Sequence, residues 1–517
     1  MNIIIVAGGL GTRFDELSVF PKILLPTKKY NSLLEQNRDI FQYNGNNKIY
    51  LIINEKYYNM TINYCQVNNI DIEIIKSTNT NGSYNTILSV YDKIPHEDIL
   101  FIWSDLELNS YIIKEFYRDT IVTYQGNYRY GIENGIITHH ENYDGNIPGI
   151  YYIKNLSLYL KYNLDEKNNY DFVEILQEVG NIDSIEFEGI IEEYKDKKTY
   201  IKNIKDIPKT KFSVNFKTRF FNLLEPDYIN KDIPVIKKRA IDKDYFHLIQ
   251  KEYDWYQNLK KQDFGEYKYD MIVPKIYDGM IENNTGFVME FLDDYIPLHH
   301  YIKTHEESDV QKIYETIHLY LNTLSKCTEE VDDFVFYKDL EKEIITKVVD
   351  RCEKIKYMLI NYDKKSLSVL LDRAYEYLCN NTKVINHKIQ YCVCHGDLNG
   401  SNILVNPTTK DVKFLDPRGY FGYTTFYGWQ DYEYSKLLYC LSGYDDFNNL
   451  PQIYGMDEPI KLEWFDKIDY LNKPKYKVIL GVIWIALAGY ISQDIMKANI
   501  AYEYGMQMLQ DILDGNE

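Results

Sequence analysis

The chain has 517 residues, with 77 acidic against 58 basic side chains and a net charge of −19. That balance excludes a nucleic-acid or anionic-membrane surface and leaves small cationic or phosphorylated molecules, the latter carried with Mg²⁺, as the partners to expect. The length predicts two or three domains, each large enough for its own core.

Seven cysteines occur without a paired zinc-like spacing, and Cys392 and Cys394 alternate along what reads as a buried strand, which fits core packing in a reducing cytoplasm. Met1-Asn2 runs directly into Ile3-Ile4-Ile5-Val6 with no basic region, so no signal peptide is expected. The longest apolar run, Val478 to Ile491, is shorter than the ~20 residues of a membrane span and predicts a buried helix.

In chain order, Ile3 to Ala7 is a continuous apolar strand of the kind buried on both faces of a parallel sheet. It ends in Gly8-Gly9-Leu10-Gly11-Thr12-Arg13, a turn whose backbone can approach a triphosphate while amides and Arg13 meet its charge. The turn is neither a P-loop nor a dinucleotide fingerprint. Downstream, Phe20-Pro21-Lys22 fixes a lysine beside a proline, where it can bridge two reacting phosphates.

Together these segments resemble the nucleotidyltransferase family that makes nucleotide sugars and nucleotide-activated alcohols. The resemblance implies a doubly wound α/β domain over residues 1–208, with an NTP held at Ala7, Gly8, Gly9, Gly11 and Thr12. It implies that Arg13 and Lys22 are catalytic, stabilising charge as an acceptor phosphate attacks the α-phosphate and pyrophosphate leaves.

The strands at 49–54 and 71–75, separated by a helical stretch, continue the α/β alternation. Asn81 to Thr86 opens a helix, and the resemblance makes Gly82, Ser83 and Asn85 contacts for base and ribose, with a plain helix cap as the alternative. The apolar stretch from Asp98 to Trp103 delivers Asp105 at the carboxyl end of a strand, where ligands collect in open α/β sheets. Asp105 is therefore the first expected Mg²⁺ ligand, with Glu107 a lesser one. Ser104 stands where the family commonly has glycine. Residues 149–153 read as a returning strand, and the resemblance makes Asp196 the late aspartate that completes the metal site, in a charged run that also reads as a solvated turn.

Tyr200 to Lys211 is lysine-rich and predicts a domain boundary near residue 210, after which Phe212 to Leu224 resumes so soon that the halves should pack together. Pro234 to Arg239 reads as a strand bearing Lys237 and Lys238, and the helical stretch 244–261 contains Glu252. Amphipathic helices are predicted over 310–326, 340–361 and 367–380. Then Val393 to Val405 and Val412 to Gly419 read as a strand, a polar loop, a short strand, a turn and a third strand ending in aspartate. Asp397, Asn402 and Asp416 occupy the places of a phosphoryl-transfer loop: Asp397 as the base for an attacking hydroxyl, Asn402 and Asp416 as Mg²⁺ ligands.

This array resembles the choline kinase and aminoglycoside phosphotransferase family, which phosphorylates small molecules; Asp-Pro-Arg-Gly stands where a protein kinase has Asp-Phe-Gly. The resemblance implies a two-lobed kinase-like α+β domain over 212–517. In it Lys238, with Lys237 as the alternative, holds the ATP phosphates, Glu252 orients that lysine, and the backbone from Glu290 to Leu292 meets adenine. No glycine-rich loop precedes the lysine strand. Acidic residues in Gln430 to Leu437 could face a cationic substrate, or simply suit a helix N-terminus.

The two resemblances together imply a bifunctional enzyme acting in consecutive steps, similar to choline kinase paired with phosphocholine cytidylyltransferase in bacterial surface-polysaccharide and capsule biosynthesis. Choline and CTP enter by resemblance only. The alternatives are a sugar or polyol as substrate, or a kinase-like half that only binds. Mg²⁺ is the one cofactor expected. The partners are an NTP, ATP, a small alcohol and its phosphate, with no nucleic acid and no membrane; self-association into a homo-oligomer is left open.

Overall fold

The computed structural model describes residues 1–27, 29–42, 47–79, 82–110, 116–133, 136–140, 144–159, 170–179, 182–205, 222–229, 233–281, 286–449 and 467–515. The expected boundary between residues 208 and 212 lies outside the described residues.

The N-terminal half is built on a seven-stranded sheet in the order Asp183–Glu186, Thr120–Thr123, Ile150–Asn155, Glu97–Trp103, Asn2–Ala7, Lys48–Asn54, Glu73–Ser77. Ile150–Asn155 runs antiparallel to both its neighbours; the other pairs are parallel. The first strand is central because it is apolar on both faces: Ile3 and Ile5 enter one core and Ile4 and Val6 the other. Its loop therefore opens at the carboxyl edge of the sheet, between the strands at 48–54 and 97–103. The expected alternation is present, with the strand expected at 71–75 observed two residues later at Glu73–Ser77.

The C-terminal half begins with a four-stranded antiparallel sheet, ordered Asn222–Ile229, Ile233–Ala240, Gly286–Glu290, Ile276–Ile281. The helix Phe246–Lys260 packs on it. Two three-stranded sheets follow, one containing the hairpin Ile403–Val405 and Val412–Phe414, the other containing Lys388–Val393. The remainder is helical, and the apolar run becomes the buried helix Pro474–Tyr490, paired with Ile495–Asp514. A Cβ at Gly505 would meet the Ile485 amide nitrogen at 2.6 Å, so glycine there allows the close approach of these two helices.

The helix expected over 340–361 is broken into Asp333–Glu341, a π turn at Lys342–Thr346, and Lys347–Lys354. Among the described residues no helix is long and apolar enough to cross a membrane. The cysteines are all free and mostly buried.

Candidate active sites

At the carboxyl edge of the first sheet, Gly11 turns the chain with φ +64°, a conformation that costs glycine little. A Cβ at Gly8 would run into the Thr86 side chain, so the loop and the helix Gly82–Leu88 close on one another. Between them lies a cavity of about 330 Å³. Ala7, Gly8, Gly9, Gly11, Thr12, Arg13, Lys22, Gly82, Ser83 and Asp105 all line it, so the residues expected to hold the nucleotide are brought together. Asn85 is not among them; it is buried, and the structure places it in the helix packing. Ser83 also accepts a bond from the Phe172 amide at 2.9 Å, so it helps to start the helix Phe172–Val179 as well as facing the cavity.

A second cavity of about 180 Å³ shares Arg13, Trp103, Asp105 and Asp171 with the first. Arg13 and Asp105 thus stand between two adjoining chambers. Lys22 Nζ lies 3.2 Å from Asp105 Oδ2 and donates to the Tyr194 carbonyl at 3.1 Å, which fixes the lysine at this boundary.

The strand Ile191–Glu193 pairs with Leu106–Leu108, and the Tyr194 amide donates to the Asp105 carbonyl at 2.8 Å. That register places Glu193 opposite Leu106, one residue on from Asp105, and both carboxylates line the second cavity. Burial, then the Asp105 charge, push the Glu193 carboxyl up to about 7, against the pull of Lys195 and Lys22.

Asp196, expected as the second metal ligand, lines neither cavity. Its carboxylate accepts from the Thr199 amide at 2.7 Å and caps the helix Lys197–Lys205, a contact that, with backbone bonding first, lowers its pKa. Glu193, not Asp196, lines the second cavity together with Asp105. Glu107 is engaged elsewhere, accepting from Gln36 at 3.2 Å and from the Tyr194 hydroxyl.

In the C-terminal half, Lys238 Nζ lies 2.7 Å from Glu252 Oε2 and 2.5 Å from Asp416 Oδ1. Strand side chains alternate faces, so Lys237 points the other way and pairs with Asp227; of the two lysines, Lys238 is the one inside. Asp397 Oδ2 accepts from Asn402 Nδ2 at 3.1 Å, and its other oxygen lies 3.1 Å from Lys436 Nζ. The Leu415 amide donates to the Asn402 carbonyl at 2.8 Å, which sets Asn402 beside Asp416 across the hairpin. Asp416 holds φ +57°, a strained conformation for a residue with a Cβ, as often found at functional sites.

Glu252, Asp397, Asn402 and Asp416 line one cavity of about 850 Å³. Glu290 and Leu292, expected at the adenine edge, do not line it, and the Glu290 amide donates to the Lys275 carbonyl at 2.9 Å.

Buried carboxylates hold this loop from behind. Glu433 accepts from the Gly396 and His395 amides at 2.8 and 3.2 Å, and Asp445 accepts from the Gly400 amide at 3.0 Å. Glu433, one of the acidic residues in Gln430 to Leu437 expected to face a cationic substrate or to suit a helix N-terminus, is turned to the loop instead; Asp445, Asp171 and Glu193 had no signal in the sequence, because only tertiary packing and short-strand register bring them to the sites.

Among the described residues no three His, Cys, Asp or Glu side chains cluster to hold a metal. Mg²⁺ needs less: one or two protein oxygen ligands, completed by water and substrate phosphates. The oxygen donors of Asp105 with Glu193, and of Asn402 with Asp416, fit that requirement.

No family model matches the chain, and no curated protein matches it. Among solved structures, the inositol-1-phosphate CTP transferase from T. maritima is similar at 13% identity over 40% of this chain and 96% of that one, with a TM-score of 0.33. The CTP:phosphocholine cytidylyltransferase from Streptococcus pneumoniae is similar at 16% identity over 40% and 97%, with a TM-score of 0.35. A UDP-glucose pyrophosphorylase complexed with UDP-glucose is similar at 14% identity over 40% and 97%, with a TM-score of 0.34. These neighbours are nucleotidyltransferases by name, and likenesses of this size assign no family to the chain.

Proposed function

We propose that the chain is a transferase with two sites, the N-terminal one transferring a nucleotidyl group and the C-terminal one phosphorylating a small alcohol. The observation that carries the first is the placement of Arg13, Lys22 and Asp105 at the boundary of two adjoining cavities. An NTP in the glycine-loop chamber and a phosphomonoester in the other would meet there. Arg13 and Lys22 would then stabilise the charge that develops on the α-phosphate as the acceptor oxygen attacks and pyrophosphate leaves.

The second is supported by the linked set Lys238, Glu252, Asp416, Asn402 and Asp397 around one cavity. Asp397 would take the proton of the attacking hydroxyl, Asn402 would hold that carboxylate in orientation, and Lys238 would draw the ATP phosphates inward, itself steered by Glu252. Asp105 with Glu193, and Asn402 with Asp416, would hold Mg²⁺, whose charge would offset that of the phosphates. The product of the second site is a phosphomonoester and the first site consumes one, so the two reactions run in sequence.

The test is mass spectrometry of reactions containing Mg²⁺, ATP, one of the four NTPs and a panel of small alcohols. Asp397→Ala is expected to lower phosphorylation by about 10²–10⁴-fold and to be rescued by the phosphate ester. Lys22→Ala is expected to stall at that ester. If Asp397→Ala still phosphorylates at the wild-type rate, the C-terminal half is not a kinase; if Lys22→Ala still releases pyrophosphate at that rate, the N-terminal assignment fails.

A further inference from the structure

The helical end of the 850 Å³ cavity, formed by Lys347–Lys354, Gln430–Leu441 and Pro474–Tyr490, is lined by the chain's own cations. Lys347, Arg351, Arg418 and Lys436 all face it. Lys347 and Arg418 share a single carboxylate, that of buried Glu343, and Lys436 is paired with Asp397 at 3.1 Å. Arg351 donates to the Ala486 carbonyl at 3.1 Å, and among the described residues no carboxylate pairs with it. The acidic residues on the cavity wall are Glu252, Asp397 and Asp416, and of these Asp397 alone reaches a cation of the helical end, Lys436.

Four tyrosine faces at the helical end are occupied in the same way. Arg418 lies 3.7 Å from the ring centre of Tyr420, Lys436 5.0 Å from Tyr439, Lys347 5.7 Å from Tyr432 and Arg351 5.8 Å from Tyr490. Such faces bind quaternary ammonium groups when they are vacant. These four already carry a protein cation, which would repel a second, and the Tyr444 ring is stacked on Tyr439 at 4.1 Å. Burial above all pushes the Lys347 ammonium down to about 7, against the pull of Glu343, so Arg418 and Arg351 are cations here that stay charged through neutral pH.

We infer that the alcohol accepted here carries an anionic group, a carboxylate or a phosphate, held by Arg351 and Lys347 while its hydroxyl faces Asp397. This rests on reading the cavity as a phosphoryl-transfer site, and it departs from the choline-like acceptor that the resemblance implies. In the transfer the hydroxyl oxygen forms a bond to the γ-phosphorus, the bond from that phosphorus to the β,γ-bridging oxygen breaks, ADP leaves with the electron pair, and the hydroxyl proton passes to Asp397.

The experiment is calorimetric titration of the full chain, loaded with Mg²⁺ and a non-hydrolysable ATP analogue, with glycerate, glycerol 3-phosphate, glycerol and choline. In parallel, phosphate transfer from labelled ATP to each is measured. Glycerate or glycerol 3-phosphate is expected to bind about tenfold or more tightly than glycerol and choline, and which of the two binds tells a carboxylate site from a phosphate site. Arg351→Gln, which keeps a donor for the Ala486 carbonyl, is expected to remove that preference while nucleotide affinity stays within about twofold. Lys347→Met, which leaves Glu343 its Arg418 partner, should repeat the loss, and it decides the matter if Arg351→Gln fails to bind nucleotide. Choline binding as tightly as the anionic alcohols, no binding by any of the four, or an unchanged preference in the variants overturns the inference. Binding of an anionic alcohol without phosphate transfer leaves the inference standing and overturns the kinase reading alone.

Discussion

Glu433 shows how one buried carboxyl both shapes the C-terminal site and sets a pH dependence. It is 2% exposed beneath the loop that carries Asp397, where it gathers the Gly396 and His395 amides and the Cys394 thiol. Burial pushes its pKa from 4.5 up to about 7, more than those three bonds pull it down. A raised folded-state pKa means that between these two values the folded chain binds a proton the unfolded chain has released. The stability this supplies is complete below about pH 4.5 and lost as pH rises through about 7; its size is on the order of 3 kcal/mol. Glu193 titrates in the same direction over the same window. Glu433→Gln keeps an acceptor for the amides but cannot titrate, so urea unfolding measured from pH 4.5 to 7.5 should fall less steeply than in the wild type. An unchanged slope would assign the whole effect to other groups.

At the scale of elements, the Glu343 cluster sits in the π turn at Lys342–Thr346. Glu343 accepts bonds from Lys347, one helical turn on, and from Arg418, which the loop after Asp416 brings in. Burial alone would raise its carboxyl, but the two cations hold it down to about 2. Glu343→Gln leaves the buried Arg418 charge without a carboxylate, while Lys347 sheds its proton, and should cost about 3–5 kcal/mol, read as a shift in the denaturant midpoint; a cost below about 1 kcal/mol would mean that solvent already screens the cluster.

The break in this helix was not legible, because its apolar stripe runs on through the turn. The array from Asp397 to Asp416 was legible because one loop and one hairpin set its spacing. Lys237 and Lys238 stayed open because a strand places neighbours on opposite faces and both positions are lysine. Glu193 was missed because a three-residue strand has too little pattern to announce its register, whereas Asp196, in a charged run, fits a late-aspartate motif while serving as a helix cap.

At the scale of the whole molecule, the halves meet where helix ends need partners. The last carbonyls of a helix have no partner within it, and Lys354 ends the helix that carries Lys347 and Arg351. Asn63, on the N-terminal helix Glu55–Val67, donates to the Lys354 carbonyl at 3.0 Å and accepts from the Tyr357 amide at 3.2 Å. Asn68 donates to the Ser492 carbonyl at 3.2 Å, just beyond the helix Pro474–Tyr490. The N-terminal half thus finishes one helix that walls the other half's cavity and braces the turn after a second, and one hydrophobic core continues across both halves. Asn63→Val removes both hydrogen bonds and leaves a carbonyl and an amide unpaired, at about 1–3 kcal/mol for each group. In calorimetry this should appear as earlier unfolding of the C-terminal half, and in binding as weaker retention of the acceptor with the NTP site unaffected. A thermogram and affinities identical to the wild type would mean that the halves merely touch, because a helix end that solvent can satisfy does not need Asn63.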